Sequence, residues 1–374
     1  MNNLFIVLRG YFPGLAPNNR YMAWLKCFDA LGVKATVVNI RPNDNFERMP
    51  QTYHNLKIVN LWDNPLCRVR HRQLRFIIHQ FNVWRFCRRV KEGDVVWVYD
   101  LPEAIIRLSR KEGVHIFNEV TEHPEISGVT KEAIARVEAV KKIDGLFVIS
   151  HPLKQAYADR GVDKNKIHVI NMTVDTDRFE GLAKQGDEKS IVFCGNGANN
   201  KDGVDQLIKA FALIHKKNPN YKLRIIGPAP KRGDDLGNIE LVEQLGITES
   251  VEFTGMKSPD EVPQMLKNAS ILALDRPDSL QAQNGFPTKL GEYLLTENPV
   301  CVTNVGDIPL FLKNKDNAMV AEHDNIEDFS SKLFWLIEHP AEAVEIGKRG
   351  AEVARKNFNA MTEAQKMLKH MESL

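Results

Sequence analysis

A loop that runs into a helix, residues 284–295, carries the densest set of groups able to bind an anion. Apolar runs precede and follow it, and they predict a buried strand on each side. Pro287 suits the first turn of a helix, which leaves the amides of Thr288 and Lys289 without intrahelical partners. These donors and the positive end of the helix dipole would attract a phosphate.

Two further residues of this segment extend the pattern. Gly285 lets a ligand approach the backbone closely, and Glu292 lies one turn after Thr288 on the same helix face. A phosphate at the helix tip with a carboxylate one turn deeper suits a nucleotide diphosphate and its ribose. An ordinary capped helix in a parallel α/β sheet explains the same residues, and the local pattern leaves both interpretations open.

A glycine-rich loop, residues 194–204, follows another apolar strand and precedes another helix. Backbone amides around Asn196 and Gly197, together with the mobile cation of Lys201, offer a way to hold phosphate. By itself, such a loop is weak evidence for phosphate binding. The evidence is stronger here because a helix tip followed by a glutamate occurs later in the sequence.

The segment 284–295 resembles the donor-binding motif of retaining glycosyltransferases with the two-domain GT-B architecture, family four. That motif is a glutamate, seven residues and a second glutamate, with Gly-Phe after the first. Here Gly285 and Phe286 keep the Gly-Phe pair, Glu292 is the second glutamate, and Asn284 replaces the first. The resemblance implies that Asn284 binds sugar hydroxyls as a neutral amide, which suggests an altered donor-sugar preference.

The same resemblance assigns roles in the glycine-rich loop and in a later turn. It implies that Lys201 neutralises the donor diphosphate, while Asn196 stands where the family often carries an arginine. Lys289 or Arg276 would supply the missing charge, although we favour a surface loop position for Arg276. Met256, in the turn at 253–258, either covers the face of the nucleobase or fills the core.

The resemblance is weaker in the first half of the chain. Gly14 lies in the loop after the first strand, where many relatives have a glycine pair that approaches the transferred sugar. Arg20 either joins that substrate site or caps the next helix. His123 ends another strand where the family places a group that faces the donor sugar, with Glu122 and Glu119 as the next candidates.

The sequence predicts no metal site and no cofactor, and the nucleotide-diphosphate sugar is expected as the donor substrate. Asp175 and Asp177 form an Asp-x-Asp pattern, which is a metal-binding candidate. Its place after a strand at the domain junction fits the linker of the resembled family, and this architecture generally uses no metal.

Short apolar strands alternate with amphipathic helices, which predicts two parallel sheets with helices on both faces. The polar, aperiodic segment 177–190 separates the two runs. The predicted fold class is therefore α/β, with two Rossmann-like domains facing across a cleft. We predict a first domain over 1–180 and a second over 181–358. By resemblance, a helix over 359–374 returns to the first domain. The strands predicted in the first half are 4–8, 35–40, 57–61, 95–99, 115–118, 146–149 and 167–170.

The composition is that of a globular protein of ordinary kind, with 374 residues, 43% hydrophobic residues and a net charge of +2. The five cysteines are scattered without a Cys-x-x-Cys pair, which favours reduced, buried thiols in a cytoplasmic protein. No apolar run approaches the roughly 18 residues of a membrane span, and the first strand is too short for a signal peptide.

Residues 68–91 form a basic amphipathic stretch with no acidic residue. One interpretation is peripheral contact with an anionic membrane at its inner face, where lipid-linked acceptors are found. The other is a domain helix with a solvated cationic face. Nucleic-acid binding is not expected, because the stretch belongs to no recognised module.

Together with these patterns, the resemblance implies a metal-independent, retaining glycosyltransferase that moves a sugar from a nucleotide-diphosphate sugar to a glycan or lipid-linked acceptor. The expected setting is bacterial surface or exopolysaccharide assembly. Lys201 and the amides of Thr288 and Lys289 would stabilise the negative charge on the leaving phosphate. By resemblance, attack occurs on the same face with the leaving phosphate as the base, so no protein nucleophile is required.

Two alternatives remain open at this point. A sugar-nucleotide epimerase or hydrolase on the same scaffold would use Glu119, Glu122 and His123 as acid and base groups. A catalytically inactive relative that serves as a binding partner would explain why Asn284 and Asn196 replace charged residues of the motif.

Overall fold

The computed structural model describes residues 3–13, 16–63, 71–99, 101–186, 189–197 and 200–373. The chain forms two compact units. The first unit comprises Met1–Asn171 and Ala360–Leu374, and the second comprises Met172–Asn359.

The first unit is built on a seven-stranded sheet within the described residues, in the order β3-β2-β1-β4-β5-β6-β7. Every pairing is parallel. The central strands are buried on both faces, which explains their continuous apolar runs. The strands are β1 (Leu4–Leu8), β2 (Ala35–Asn39), β3 (Leu56–Asn60), β4 (Val95–Tyr99), β5 (His115–Val120), β6 (Gly145–Val148) and β7 (Ile167–Val169).

Helices connect these strands, and polar caps start two of them. Thr130 accepts a hydrogen bond from the Ala133 amide at the start of α4, and Ser150 accepts one from Leu153 at the start of α5. The helices of the first unit are α1 (Ala16–Ala30), α2 (Arg72–Arg89), α3 (Pro102–Leu108), α4 (Lys131–Val140), α5 (His151–Asp159) and, at the end of the chain, α14 (Ala360–Glu372).

The core of the first unit includes side chains from both ends of the chain. Phe28 of α1 meets Trp97 of β4 edge to face, with ring centroids 5.7 Å apart. Met367 and Met371 of α14 are buried in the same cluster. The last helix of the chain therefore completes the core of the first unit.

The second unit is built on a six-stranded parallel sheet in its described part, in the order β10-β9-β8-β11-β12-β13. These two parallel sheets with helices between their strands confirm the predicted α/β class. The strands are β8 (Ser190–Cys194), β9 (Lys222–Ile226), β10 (Val251–Phe253), β11 (Ile271–Leu274), β12 (Val300–Thr303) and β13 (Met319–Ala321).

Among the helices of the second unit, α13 (Pro340–Asn357) contains two interior glycines, Gly347 and Gly350, because other segments of the chain pack closely against it. A Cβ on Gly347 would lie 2.2 Å from the carbonyl oxygen of Glu297, so only glycine fits this contact. The helices are α6 (Val204–Lys217), α7 (Asn238–Gln244), α8 (Val262–Asn268), α9 (Leu280–Asn284), α10 (Thr288–Leu295), α11 (Ile308–Phe311), α12 (Ile326–Glu338) and α13 (Pro340–Asn357).

The division between the units differs from the predicted boundary after residue 180. Residues 172–180 belong to the second unit. The Val174 amide donates to the Phe358 carbonyl over 3.0 Å, and Met172 packs so closely that a Cβ on Gly291 would lie 2.6 Å from its Cε. These tertiary contacts, which local polarity does not reveal, draw the segment into the second unit.

In the part of the chain that the structure describes, no helix is both long enough and apolar enough to cross a membrane.

A histidine pair joins α14 to the sheet of the first unit. The rings of His168 in β7 and His370 in α14 are stacked, with centroids 3.6 Å apart. Burial, His370 and Lys154 lower the pKa of His168 to about 4. Burial and Lys369 lower the pKa of His370 as well. Both rings are therefore neutral in the folded protein at neutral pH.

We expect the first unit to lose stability as the pH falls from 6.5 towards about 4. Both folded pKa values lie below the unfolded value, so the unfolded chain binds protons first and stability declines through this window. Melting temperatures measured from pH 7.5 to 4.5 test this. His168→Phe, which keeps a ring but cannot ionise, should decline less steeply than the wild type. Exposed His54 provides the control His54→Phe, which should follow the wild type. Equal slopes for His168→Phe and the wild type would contradict the assignment.

Candidate functional site

The helix tip that the sequence singled out is formed by Pro287 and α10. Pro287 has φ −72° and ψ 111°, so it is the N-cap of α10 and does not lie in the first turn as predicted. The Leu290 amide donates to the Pro287 carbonyl over 3.0 Å. The amides of Thr288 and Lys289 precede that bond, in the part of a helix where no intrahelical acceptor is available. Their role as donors to an anion stays a prediction.

Tyr293 fastens this helix to the end of β8. Its side chain is fully buried. The Cys194 amide donates to the Tyr293 hydroxyl oxygen over 2.6 Å, and the hydroxyl donates to the Cys194 carbonyl over 3.3 Å. The helix tip and the glycine-rich loop, which are far apart in sequence, are therefore held side by side.

Asp202 gathers two cations at the point where the loop meets the helix tip. Lys289 forms an ion pair with its carboxylate, and Arg276 Nε lies 3.2 Å from Oδ1. Burial would raise the pKa of Asp202, but Lys289 and Arg276 outweigh it and hold the pKa below its usual value. Lys289 Nζ also lies 4.7 Å from the centroid of the Phe193 ring.

Glycines in the loop allow these groups to come close. A Cβ on Gly195 would lie 2.6 Å from Lys289 Nζ, and a Cβ on Gly197 would lie 2.8 Å from the Ile225 side chain. Gly203 has φ +70°, and its Cβ would overlap the Asp275 carbonyl oxygen at 1.6 Å. Gly203 is therefore required, because its φ is positive and its Cβ would overlap backbone, while Gly195 and Gly197 allow side chains to pack closely against the loop.

Arg276 is buried, at 3% exposure, so the predicted surface position was wrong. Burial lowers its pKa, against the opposing effect of Asp202. Its Nη1 has no hydrogen-bond partner among the described residues. A buried guanidinium that retains donor capacity next to the loop can supply the charge that Asn196 lacks.

Lys201 and Asn196 are exposed residues of the same loop. Lys201 is one of the charges that lower the pKa of Asp202, so it lies near Lys289 and Arg276. Lys201, Arg276 and Lys289 thus surround one carboxylate at the carboxyl edge of the second sheet.

Glu292 has a partner that the sequence analysis did not identify. It forms an ion pair with Arg178, whose Nη2 also donates to the Pro259 carbonyl over 2.9 Å. Burial raises the pKa of Glu292, and Arg178 offsets part of that effect. Arg178 could not be recognised as this partner from the sequence, because nothing local indicates a contact between residues more than a hundred positions apart.

The three residues before Pro287 differ from one another in their contacts. The Asn284 side-chain amide donates to the Leu280 carbonyl over 2.9 Å, within its own helix α9. Gly285 is extended at the end of α9 and donates its amide to Gln281. Phe286 is 7% exposed and packs against Phe311 and Phe358, with centroids 5.7 and 5.3 Å away. Phe286 is therefore a core residue that anchors the loop.

Met256 is 66% exposed, which rules out the core-filling interpretation. It follows Gly255, which has φ +71°. The Gly227 amide donates to the Gly255 carbonyl over 3.1 Å, so the turn lies at the carboxyl end of β9. Its position at this edge agrees with a side chain that covers a flat ligand group.

His123 is buried in the first unit at 7% exposure. Its Nδ1 accepts a hydrogen bond from the Glu125 amide over 3.2 Å, which places the proton of the neutral ring on Nε2. Burial and Arg160 lower its pKa. His123 and Glu122 line a cavity of about 370 Å³ that Tyr99 and Arg136 also border.

Arg20 is an internal residue of the first unit. Its Nε lies 2.6 Å from Glu119 Oε1, and its other nitrogens donate to the carbonyls of Ile170 and Asn171. At 3% exposure, Arg20 holds α1 against the ends of β5 and β7 and does not present its guanidinium to a ligand. Gly14, the other predicted contact in this loop, lies outside the described residues.

Asp175 and Asp177 form a local turn. The Asp177 amide donates to the Asp175 side chain over 3.2 Å and caps a short 3-10 helix. Within the described residues, no cluster of three or more His, Cys, Asp or Glu side chains is arranged to hold a metal ion.

Asp275 follows β11 and is 1% exposed. Neither carboxyl oxygen has a hydrogen-bond partner in the described part of the chain. Burial, Asp205 and Asp324 raise its pKa to about 8. Asp275 is therefore mainly protonated at neutral pH, unlike Asp202 nearby.

Comparison with known proteins places this geometry in a family context. Residues 174–353 match the family described as glycosyl transferases group 1. The chain is 20% identical to mannosylfructose-phosphate synthase of Agrobacterium fabrum, over 91% of this chain and 78% of that protein. It is 25% identical to D-inositol 3-phosphate glycosyltransferase of Rhodococcus jostii, over 48% of this chain and 41% of that protein.

Solved structures with the GT-B fold resemble the whole chain. HepE of Anabaena, in complex with UDP-glucose, has a TM-score of 0.77 at 15% identity and covers both chains fully. Sucrose-phosphate synthase of Thermosynechococcus elongatus has a TM-score of 0.78 at 15% identity, over 100% of this chain and 99% of that chain. These likenesses confirm the predicted GT-B fold with two Rossmann-like domains.

We expect Asp275→Asn to raise the melting temperature at pH 8 but not at pH 4. The pKa of Asp275 is higher in the folded protein than in the unfolded chain, so its carboxyl group contributes fully to folding stability below pH 3.8. This contribution is lost as the pH rises to about 8. Asparagine cannot ionise and avoids that loss. Each kcal/mol recovered should add about 2–4 °C in a unit of this size.

Calorimetric scans at several pH values measure this gain. The exposed Asp235 provides the control Asp235→Asn, which should behave like the wild type throughout. A gain for Asp275→Asn that is equal at pH 4 and pH 8 would show that its ionisation is not the cause.

Proposed function

We propose, since this chain belongs to the glycosyl transferases group 1 and has their GT-B fold, that it transfers a sugar from a nucleotide-diphosphate sugar with retention of configuration. The observation that best supports this proposal is the group of three cations, Lys201, Arg276 and Lys289, beside the tip of α10. Such a group at the carboxyl edge of a parallel sheet suits a diphosphate leaving group.

Cleavage of the bond between the sugar and the diphosphate leaves negative charge on the phosphate oxygens. In this proposal, Lys289, Arg276 and the first amides of α10 are held next to that charge before the reaction begins. Preorganised donors of this kind stabilise the transition state, and removal of one typically costs about 10²-fold or more in rate. The proposed mechanism needs no protein nucleophile, because the leaving phosphate accepts the proton of the acceptor hydroxyl.

Asp202 acts in this proposal as a positioning residue. Its carboxylate is ionised in the fold and holds both Lys289 and Arg276. Without this carboxylate, the partly exposed Lys289 and the buried Arg276 would repel each other when no ligand is bound. Their charges outnumber the single carboxylate, so the group stays attractive to an anion.

Glu292 binds the ribose hydroxyls in this proposal, with Arg178 as its counterion. A bare carboxylate beside a diphosphate would repel it, and a paired carboxylate does so less. Met256 covers the nucleobase from the neighbouring turn, and Asn284 contacts sugar hydroxyls. No metal or further cofactor is needed, because the side-chain cations neutralise the diphosphate.

The donor and acceptor are proposed by class. HepE of Anabaena has been solved with UDP and with UDP-glucose, which makes uridine nucleotides the first donors to test. The proposed acceptor is a glycan or lipid-linked sugar in bacterial surface or exopolysaccharide assembly. His123 and Glu122 border a cavity of suitable size in the first unit.

The outer face of α2 supports peripheral membrane contact by a cytoplasmic protein. Its large apolar side chains are exposed, where a solvated helix face would be polar. Basic residues accompany them, and the Arg88 guanidinium lies 5.1 Å from the Trp84 ring centroid. Anionic lipids attract such a face. The exposed apolar residues are Leu74 (47%), Phe76 (63%), Ile77 (60%), Phe81 (53%) and Trp84 (40%).

We expect UDP or another nucleoside diphosphate to raise the melting temperature of the protein in proportion to the logarithm of its concentration. Lys289→Met and Lys201→Met should weaken that shift and lower kcat/KM about 10²-fold with the matching sugar nucleotide. The control is Lys356→Met, an exposed lysine on α13, which should leave both values unchanged.

The same experiment separates the alternatives. Rapid turnover of a sugar nucleotide without any acceptor would favour a hydrolase or epimerase. Absence of binding by every nucleoside diphosphate would leave an inactive relative as the better explanation.

We expect the protein to float with vesicles that contain anionic phosphatidylglycerol and not with neutral phosphatidylcholine vesicles. Replacing exposed apolar residues in Ile77→Ser together with Phe81→Ser should abolish flotation. Leu310→Ser removes an equally exposed apolar side chain from α11 and should have no effect. Equal recovery with both vesicle types would remove the membrane proposal.

A further inference from the structure

A second cavity of the first unit, of about 390 Å³, lies where the loops after β1 and β2 meet the first turns of α2. The lining side chains used below are two arginines, an aspartate, a histidine, an asparagine and two phenylalanines. They are Arg41, Arg75, Asp44, His79, Asn82, Phe12 and Phe76. The cavity opens beyond the carboxyl ends of parallel strands, where such sheets bind ligands.

The backbone of this cavity is fixed by hydrogen bonds. The Ile40 amide donates to Leu8 and the Arg41 amide donates to Arg9, which continues the pairing of β1 and β2 past their ends. The Asn82 side chain donates to the Ile40 carbonyl over 3.0 Å and ties α2 to the same place. The cavity therefore has a rigid floor.

Positive charge exceeds negative charge around this floor. Burial and the neighbouring Arg9 lower the pKa of Arg41, which shows that the cations are close together. Arg75 is paired with Asp44. Arg41 Nε is buried without a hydrogen-bond partner among the described residues.

His79 offers a second unused polar atom. It is 6% exposed, and its Nε2 lies 3.5 Å from Glu103 Oε1. Its Nδ1 has no partner in the described part of the chain. Among the described charges that act on Arg41, the guanidinium groups of Arg9, Arg75 and Arg41 itself outnumber the carboxylates of Asp44 and Glu103 by one.

We propose that this cavity binds a phosphate group carried by the acceptor, an inference that rests on the proposed glycosyltransferase function. Planar guanidinium groups bind phosphate oxygens through paired N–H donors. Arg41 and His79 have unused polar atoms for this purpose. Phe12, which stacks on Arg41 at 5.3 Å, and the exposed Phe76 supply apolar walls for the group attached to the phosphate.

Isothermal titration calorimetry of the full chain, with UDP present to occupy the donor site, tests this site. Glucose 6-phosphate and dihexanoyl phosphatidic acid are the phosphate probes, while glucose and dihexanoyl phosphatidylcholine are their matched controls. We expect at least one phosphate probe to bind more tightly than its control. Arg41→Gln should weaken that binding about 10-fold or more, and Arg41→Lys should restore part of it.

Two further variants serve as controls for this interpretation. Arg75→Gln changes a half-exposed arginine of the same cavity and should weaken phosphate binding even if Arg41→Gln folds poorly. Arg110→Gln removes an exposed arginine elsewhere in the unit and should bind like the wild type. Tighter binding of glucose 6-phosphate would indicate a soluble sugar phosphate, and tighter binding of phosphatidic acid would indicate a lipid-linked phosphate.

The proposal is overturned if neither phosphate probe exceeds its control, or if the variants of Arg41 and Arg75 both bind phosphate as the wild type does. Failure of the donor assignment is detected separately, because the thermal shift by UDP depends on Lys201 and Lys289 in the second unit. An intact UDP shift with no phosphate binding would reject this inference alone.

Discussion

The arrangement of Lys289, Arg276 and Asp202 depends on the hydroxyl of Tyr293. This phenol accepts from the Cys194 amide and donates to the Cys194 carbonyl, so both polar groups of one strand-end residue are satisfied by a side chain from α10. A buried peptide group without a partner costs about 1–3 kcal/mol, which makes the bridge a strong positional constraint. It brings Lys289 to the glycine-rich loop, and Asp202 can then hold both Lys289 and Arg276.

Charge pairing is the second constraint, and it differs among the carboxyl groups near the tip of α10. Asp202 is ionised because the neighbouring cations outweigh the effect of its burial. Asp275 keeps its proton because burial and two nearby acids raise its pKa. Glu292 lies between these cases, with burial opposed by Arg178. The protein therefore sets the charge of three similar carboxyl groups by their neighbours, and positive charge prevails where the diphosphate is proposed to bind.

The sequence predicted what depends on local patterns. Apolar runs identified the strands β1 to β7 as well as β8, β11 and β12, and the Pro-Thr-Lys segment identified the tip of α10. Contacts between distant residues could not be predicted in this way. The Arg178 partner of Glu292, the internal position of Arg20 and the packing of Phe286 all arise from tertiary contacts. No element was assigned between 303 and 359, where interior glycines of α13 obscure a helix that needs them for packing.

The path of the chain through its two units has a consequence for the order in which they fold. The second unit is continuous in sequence, so it can form as soon as its own residues have left the ribosome. The first unit is different, because Met367 and Met371 of α14 belong to the core around Trp97. Its strands must wait, with part of their apolar surface uncovered, until the rest of the polypeptide has been translated. Closing that contact spans nearly the whole chain, which makes it a slow, non-local step of folding.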